Sequence, residues 1–105
     1  MARVYSTRIL VEKGLHGAIS AIPDEGTVLI LRDLWVFWNP VSLNHSTVHL
    51  IGDVGQTISF FEFDLTSPTQ TGFWQGRQVV ETSVTITADG DPVDVSLSGY
   101  ALTLP

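Results

Sequence analysis

The longest apolar pattern in the chain runs from Thr27 to Asn39, TVLILRDLWVFWN, where Val, Leu, Ile, Phe and two tryptophans are interrupted only by Arg32 and Asp33. β-Branched and aromatic residues at this density fit a pleated surface, and Pro40 ends the run by removing a backbone donor. The stretch reads as one long strand. Split by the two-residue period of a strand, Val28, Ile30, Arg32, Leu34, Val36 and Trp38 point to one side. Leu29, Leu31, Asp33, Trp35 and Phe37 point to the other. Both sides are apolar over most of their length, so each needs cover, one from a core and the other from outside it. In a chain of 105 residues, a second subunit is the natural outer cover. A membrane span takes about 18 or more uninterrupted apolar residues, and the charged pair falls in the middle of this run.

Around this strand the pattern predicts shorter ones. Ala2 to Glu12 alternates as a first strand, Gly14 to Gly17 reads as a turn, and Ala18 to Ile22 as a short edge strand. Pro23-Asp24-Glu25-Gly26 is a turn feeding the central strand. Thr47 to Ile51 is a short apolar strand closed by Gly52-Asp53-Val54-Gly55. In Thr57 to Asp64, Phe60 and Phe61 must face opposite sides, one toward a core and one toward an interface. Phe73 to Val80 is a strand bulged at Gly76. Ser83 to Thr87 is a strand, Ala88-Asp89-Gly90-Asp91-Pro92 a tight turn, and Val93 to Leu104 a final long strand. No segment keeps a helical period over three turns. About seven or eight short antiparallel strands at this spacing predict an all-β fold, a single β-sandwich domain over residues 1–105 with a jelly-roll-like arrangement.

Composition narrows the partners. The net charge is −6, and Arg3, Arg8, Arg32 and Arg77 are scattered among eleven acids. A surface that tracks phosphates needs clustered cations, so nucleic acid is not an expected partner. With no cysteine, disulfides and thiolate metal sites are excluded. Only 15% of residues are charged while 44% are hydrophobic, a balance that leaves a free β monomer prone to aggregate and favours an assembled one. The N-terminal sequence has no apolar core of signal-peptide length, so synthesis and assembly in the cytosol are expected, with no membrane partner.

Candidate chemistry is sparse. His45 and His49, four apart on a strand, lie roughly 13 Å apart along it, too far to share a metal. Asp89-Gly90-Asp91 with Asp94 resembles a calcium turn only faintly and fits a hairpin better. Glu62 and Asp64 share a strand face but lack the cleft of a glycosidase pair. No serine sits in a nucleophile elbow and no glycine-rich phosphate loop is present, so neither catalysis nor a cofactor is expected. Arg32 and Asp33 point to opposite faces, and each needs its own partner, either solvent or a counter-charge across an interface. Trp35, Trp38, Trp74 and Tyr100 offer either a sugar-stacking platform or core and interface aromatics.

Four segments carry a family resemblance: Ala2-Arg3-Val4-Tyr5-Ser6-Thr7-Arg8, Leu31-Arg32-Asp33-Leu34, Phe73 through Val80, and Ser98 through Pro105. Together they resemble small virion proteins from the structural-gene region of tailed actinobacteriophages, described as minor tail proteins or head decoration proteins. The resemblance implies a non-enzymatic bacteriophage structural protein located in the virion, capsid decoration or minor tail component, that self-associates, with a homotrimer the expected homo-oligomer, and docks on major capsid or tail proteins. Arg32, Asp33, Trp35, Phe37, Trp74, Arg77 and Tyr100 are the interface candidates, with Trp35 or Trp74 the expected buried anchor. The alternative is a carbohydrate-binding β-sandwich that contacts a host envelope glycan.

Overall fold

A computed structural model describes residues 7–105. Most of the Ala2–Arg8 segment, and the start of the strand expected there, lie outside the described residues. The order of elements is β1 (Thr7–Ala21), β2 (Thr27–Trp38), β3 (His45–Ile51), a 3-10 turn (Asp53–Gly55), β4 (Thr57–Asp64), β5 (Thr71–Val80) and β6 (Val84–Thr103). All strands belong to a single antiparallel sheet, nearly closed as a barrel. β6 is its spine. β1 pairs along one edge of β6, while β3 and then β2 pair along the other, with β4 outside β3 and β5 outside β2.

Six strands stand where seven or eight short ones are expected, because two expected turns are bends within continuous strands. Gly14 and Gly17 in β1 have φ of +69° and +114°, and Gly90 in β6 has φ of +97°. They sit at one level of the β1/β6 ladder, where Leu15 pairs with Val93 and Gly17 with Ala88. Glycine supplies positive φ on both strands at that level, the two bend as one ribbon, and pairing resumes beyond. A side chain on Gly90 would also collide with the His45 carbonyl oxygen. The bend is obligatory on length alone: a straight strand of 20 residues would span about 66 Å, against a longest molecular extent of 49 Å.

Because β6 bends, the sheet has two halves, and they meet across one core. Beyond the bend β6 pairs with the first part of β1 and with β2, which carries β5; before it β6 pairs with the last part of β1 and with β3, which carries β4. Leu31, Leu34, Val36, Trp38, Val80, Val93, Val95 and Leu97 from the first half share a cluster with Val48, Leu50, Phe63, Val84 and Ile86 from the second. Trp38 stacks on Phe63 with ring centroids 5.8 Å apart. Phe61 lies over Gly72, where a Cβ would come within 2.6 Å of the ring. The Asp53 carboxylate accepts hydrogen bonds from the backbone N–H groups of Glu81, Thr82 and Ser83 at 2.7, 2.8 and 3.2 Å. These donors, with the one from Glu81 foremost, hold its pKa below the ordinary carboxylate value.

The predicted central strand is present as Thr27–Trp38, but its two faces are not the simple even and odd sets. Leu31 pairs with Gly99 and Asp33 with the adjacent Ser98, so Arg32 is an extra residue against β6. The bulge switches parity: Leu29 and Leu31 face the core before it, and Leu34, Val36 and Trp38 after it. Val28 and Ile30, on the opposite face from Leu31, are buried outside the main cluster. The turn into β2 closes from the Asp24 carbonyl to the Thr27 N–H at 3.0 Å, with Gly26 at φ +78°.

Candidate functional site: an aromatic groove on one outer face

The bent ribbon leaves a loop, residues 39–44, to carry the chain from β2 to β3 beside the bend of β6. Asp91 fixes it. Its side chain is buried and accepts from the N–H groups of Val41, Ser42, Leu43 and Asn44 at 3.2, 3.3, 2.9 and 2.7 Å. Burial alone would raise the carboxyl pKa, but the four donors favour the charged form and together bring it down to about 2. A second tie crosses the bend where the His16 Nδ1 lies 3.0 Å from the Gly90 carbonyl oxygen.

With the loop pinned, the outer face of the first half is set by the register after the β2 bulge. Cα partners point the same way, so Val11, Ser96, Trp35 and Phe73 form one row across four strands, and Asp94, Phe37 and Thr71 form the next. Trp35 is 54% exposed, and Phe37, Phe73 and Val11 are exposed beside it. The rings of Trp35 and Phe73 are 4.4 Å apart at a tilt of 42°. Between Trp35, Phe37 and Val11 runs an open groove of about 410 Å³, floored by Ser96 and Asp94 and rimmed by Arg8, Glu12 and Lys13. Asp94 is held in place by the Gly14 N–H, 2.8 Å from its Oδ1.

The expected interface residues divide. Trp35 and Phe37 are in the groove. Arg32 and Arg77 are exposed and fall in the stretch where the β2/β5 pairing is irregular, between the Leu31–Gln78 and Asp33–Gln75 pairs. Asp33 is half-buried at the same irregularity, and Tyr100 is half-buried opposite Ile30. Trp74 pairs with Leu34, packs half-buried against the core cluster, and lies apart from the groove. In the outer row it is Phe73, the partner of Trp35, that stands beside the groove. Strand alternation makes one of the two outward but does not say which, because Gly76 and Arg77 disturb the register just beyond them.

The second half has a different outer face. His49 and Phe60 pair with ring centroids 4.8 Å apart, and Phe60 is 49% exposed while Phe61 packs on the core. Around them lie Thr47, Thr85, Thr87, Glu62, Asp64 and Asp89. His45 shares this face, and among the described residues no three His, Asp or Glu side chains converge as a metal site. Comparison of the sequence with protein-family models and with curated proteins gives no match.

Proposed function

We propose that this chain is a non-enzymatic structural module of a bacteriophage virion, a capsid decoration or minor tail component, that self-associates and docks through the outer face bearing Trp35. The observation that carries this reading is the row of Val11, Trp35 and Phe73 with Phe37 beside it, exposed on a rigid four-stranded platform. Large aromatics anchored on strands and left half in water are the side chains that bind protein surfaces, at roughly 800 Å² buried per partner in a stable complex. The low charge of the chain, 15% of residues, fits a surface covered in use.

The strand order supports a jelly-roll-like sandwich as the finer description. Cut at their bends, β1 and β6 each give two segments, and these join β2 with β5 on one side and β3 with β4 on the other. Double-sheet arrangements of eight such segments are common to virion and lectin domains. Mass spectrometry of purified particles from the phage encoding the chain tests the reading. The chain should be present in tens to hundreds of copies, and its absence from particles overturns the proposal.

A second reading rests on the groove itself. An aromatic wall formed by Trp35 and Phe37 above the polar floor of Asp94 and Ser96, in a space of about 410 Å³, suits a sugar ring stacked on an indole with its hydroxyls on the carboxylate. Binding to a glycan panel that disappears in Trp35→Ala would select this reading.

A further inference from the structure

The charges on the two halves are segregated. Every described Lys or Arg, namely Arg8, Lys13, Arg32 and Arg77, lies on the half that carries the groove, alongside Glu12, Asp33 and Asp94. The other half carries Asp53, Glu62, Asp64, Asp89 and Asp91 and no Lys or Arg. Asp91 is buried and Asp53 is bound to backbone N–H groups, so the exposed charges of the second half are Glu62, Asp64 and Asp89 with no cation among them, while the remaining acids Asp24, Glu25 and Glu81 lie in the turns flanking β2 and β5. Each half also presents an exposed aromatic centre, Trp35 with Phe73 on the first and Phe60 with His49 on the second.

We propose that the groove face of one copy docks on the His49–Phe60 face of the next, so that self-association is head to tail. This rests on the self-associating reading above and names its surfaces. Arg8 and Lys13 at the groove rim then meet Glu62 and Asp89 around Phe60, while Phe60 enters the space between Trp35 and Phe37. Pairing two groove faces would set Arg8 and Lys13 against the same cations or require them to cross to Glu12 and Asp94. Pairing two acidic faces would set carboxylate against carboxylate. Opposite charge around apolar centres steers association and disfavours the wrong pairing. Because the two faces are different surfaces of the same chain, a head-to-tail contact is heterologous and repeats, closing into a ring or extending as a filament.

Mixing two damaged chains tests this directly. Trp35→Glu spoils the groove and leaves the acidic face intact, while Phe60→Lys does the reverse. Both positions are exposed, and far-UV circular dichroism checks that each variant keeps its strands. Phe37→Glu and Glu62→Lys stand in for a variant that does not fold. In sedimentation velocity the wild type should form a closed ring or larger species. Each variant alone should run as a monomer, and the equimolar mixture as a heterodimer that grows no further. If Phe60→Lys assembles by itself like the wild type, the contact is groove to groove and the proposal is overturned. It is equally overturned if the wild type or the mixture stays monomeric at millimolar concentration. A monomeric chain that is nonetheless found in purified particles would leave the virion reading standing and remove only the head-to-tail contact.

Discussion

The two halves of this folded sheet are alike inside and different outside. Facing inward, both contribute close-packed aliphatic side chains and one tryptophan–phenylalanine stack, Trp38 on Phe63, that bridges them. Facing outward, the half built on β2 and β5 exposes Trp35, Phe37 and Phe73 among all the described Lys and Arg, while the half built on β3 and β4 carries half-buried threonines and exposed carboxylates around a single His–Phe pair. A fold needs only one buried face per sheet half, so the inner faces are fixed by stability. The outer faces are free of that demand, and the proposed head-to-tail contact uses their divergence.

The largest effect should come from breaking what the halves share. Trp38 is 2% exposed, and Trp38→Ala removes the stack across the core, costing about 3–5 kcal/mol of stability. Denaturant unfolding followed by circular dichroism measures this. A loss below about 1 kcal/mol would mean that the halves do not depend on each other through that contact.

The next effect concerns the bend that separates the halves. Asp91→Ala leaves four N–H groups of the 39–44 loop without their acceptor and should lower the melting temperature on the order of 10 °C. The pH dependence follows from the sign of the shift. Asp91 has a folded pKa of about 2 against an ordinary 3.8, so its contribution is complete above the ordinary value and is lost as pH falls through the folded one. Stability of the native chain should therefore drop between about pH 4 and pH 2. Asp91→Asn should flatten that drop, and the residual slope should come from Asp53 and Asp64, whose pKa values are also lowered. An acid profile identical in the native and Asp91→Asn chains would show that the loop is not held by this carboxylate.

The contrast between the outer faces predicts a smaller effect on folding and a larger one on assembly. Trp35→Ala should change unfolding free energy by less than about 1 kcal/mol, since the side chain is half in water. It should nevertheless abolish association in sedimentation, whereas Trp74→Ala should destabilise the fold first, because Trp74 packs on the core. The weakest expected effect is that of salt. Raising ionic strength from about 0.05 M to about 0.5 M should weaken association several-fold by screening rim charges. No salt dependence at all would count against the charge segregation as a recognition device.

Much of the fold is legible in the sequence where one local cause acts alone. The apolar run from Thr27 and its stop before Pro40 mark β2, and the alternation of Thr57–Asp64 marks β4 and sends Phe60 and Phe61 to opposite sides. Legibility fails where a local signal has two outcomes. Gly90 beside Asp89 serves a hairpin or a bend equally well, and only the presence of Gly14 and Gly17 at the same level of β1 makes it a bend. A period-two count places the faces of β2 wrongly on one side of Arg32, because the bulge there adds a residue that alternation alone does not show. Asp91 gave no signal of its role, since its four partners lie about fifty residues earlier in the chain.

The amino-acid sequence by itself determined that this chain is built of strands, and that its longest apolar run would carry apolar side chains on both faces. Those properties follow from side-chain shape and from alternation, which are local. Tertiary structure alone decided which tryptophan is sealed and which is left in water. That choice depends on the added residue at Arg32 and on a shared bend in β1 and β6, and both arise only when distant strands pair and their registers must be reconciled.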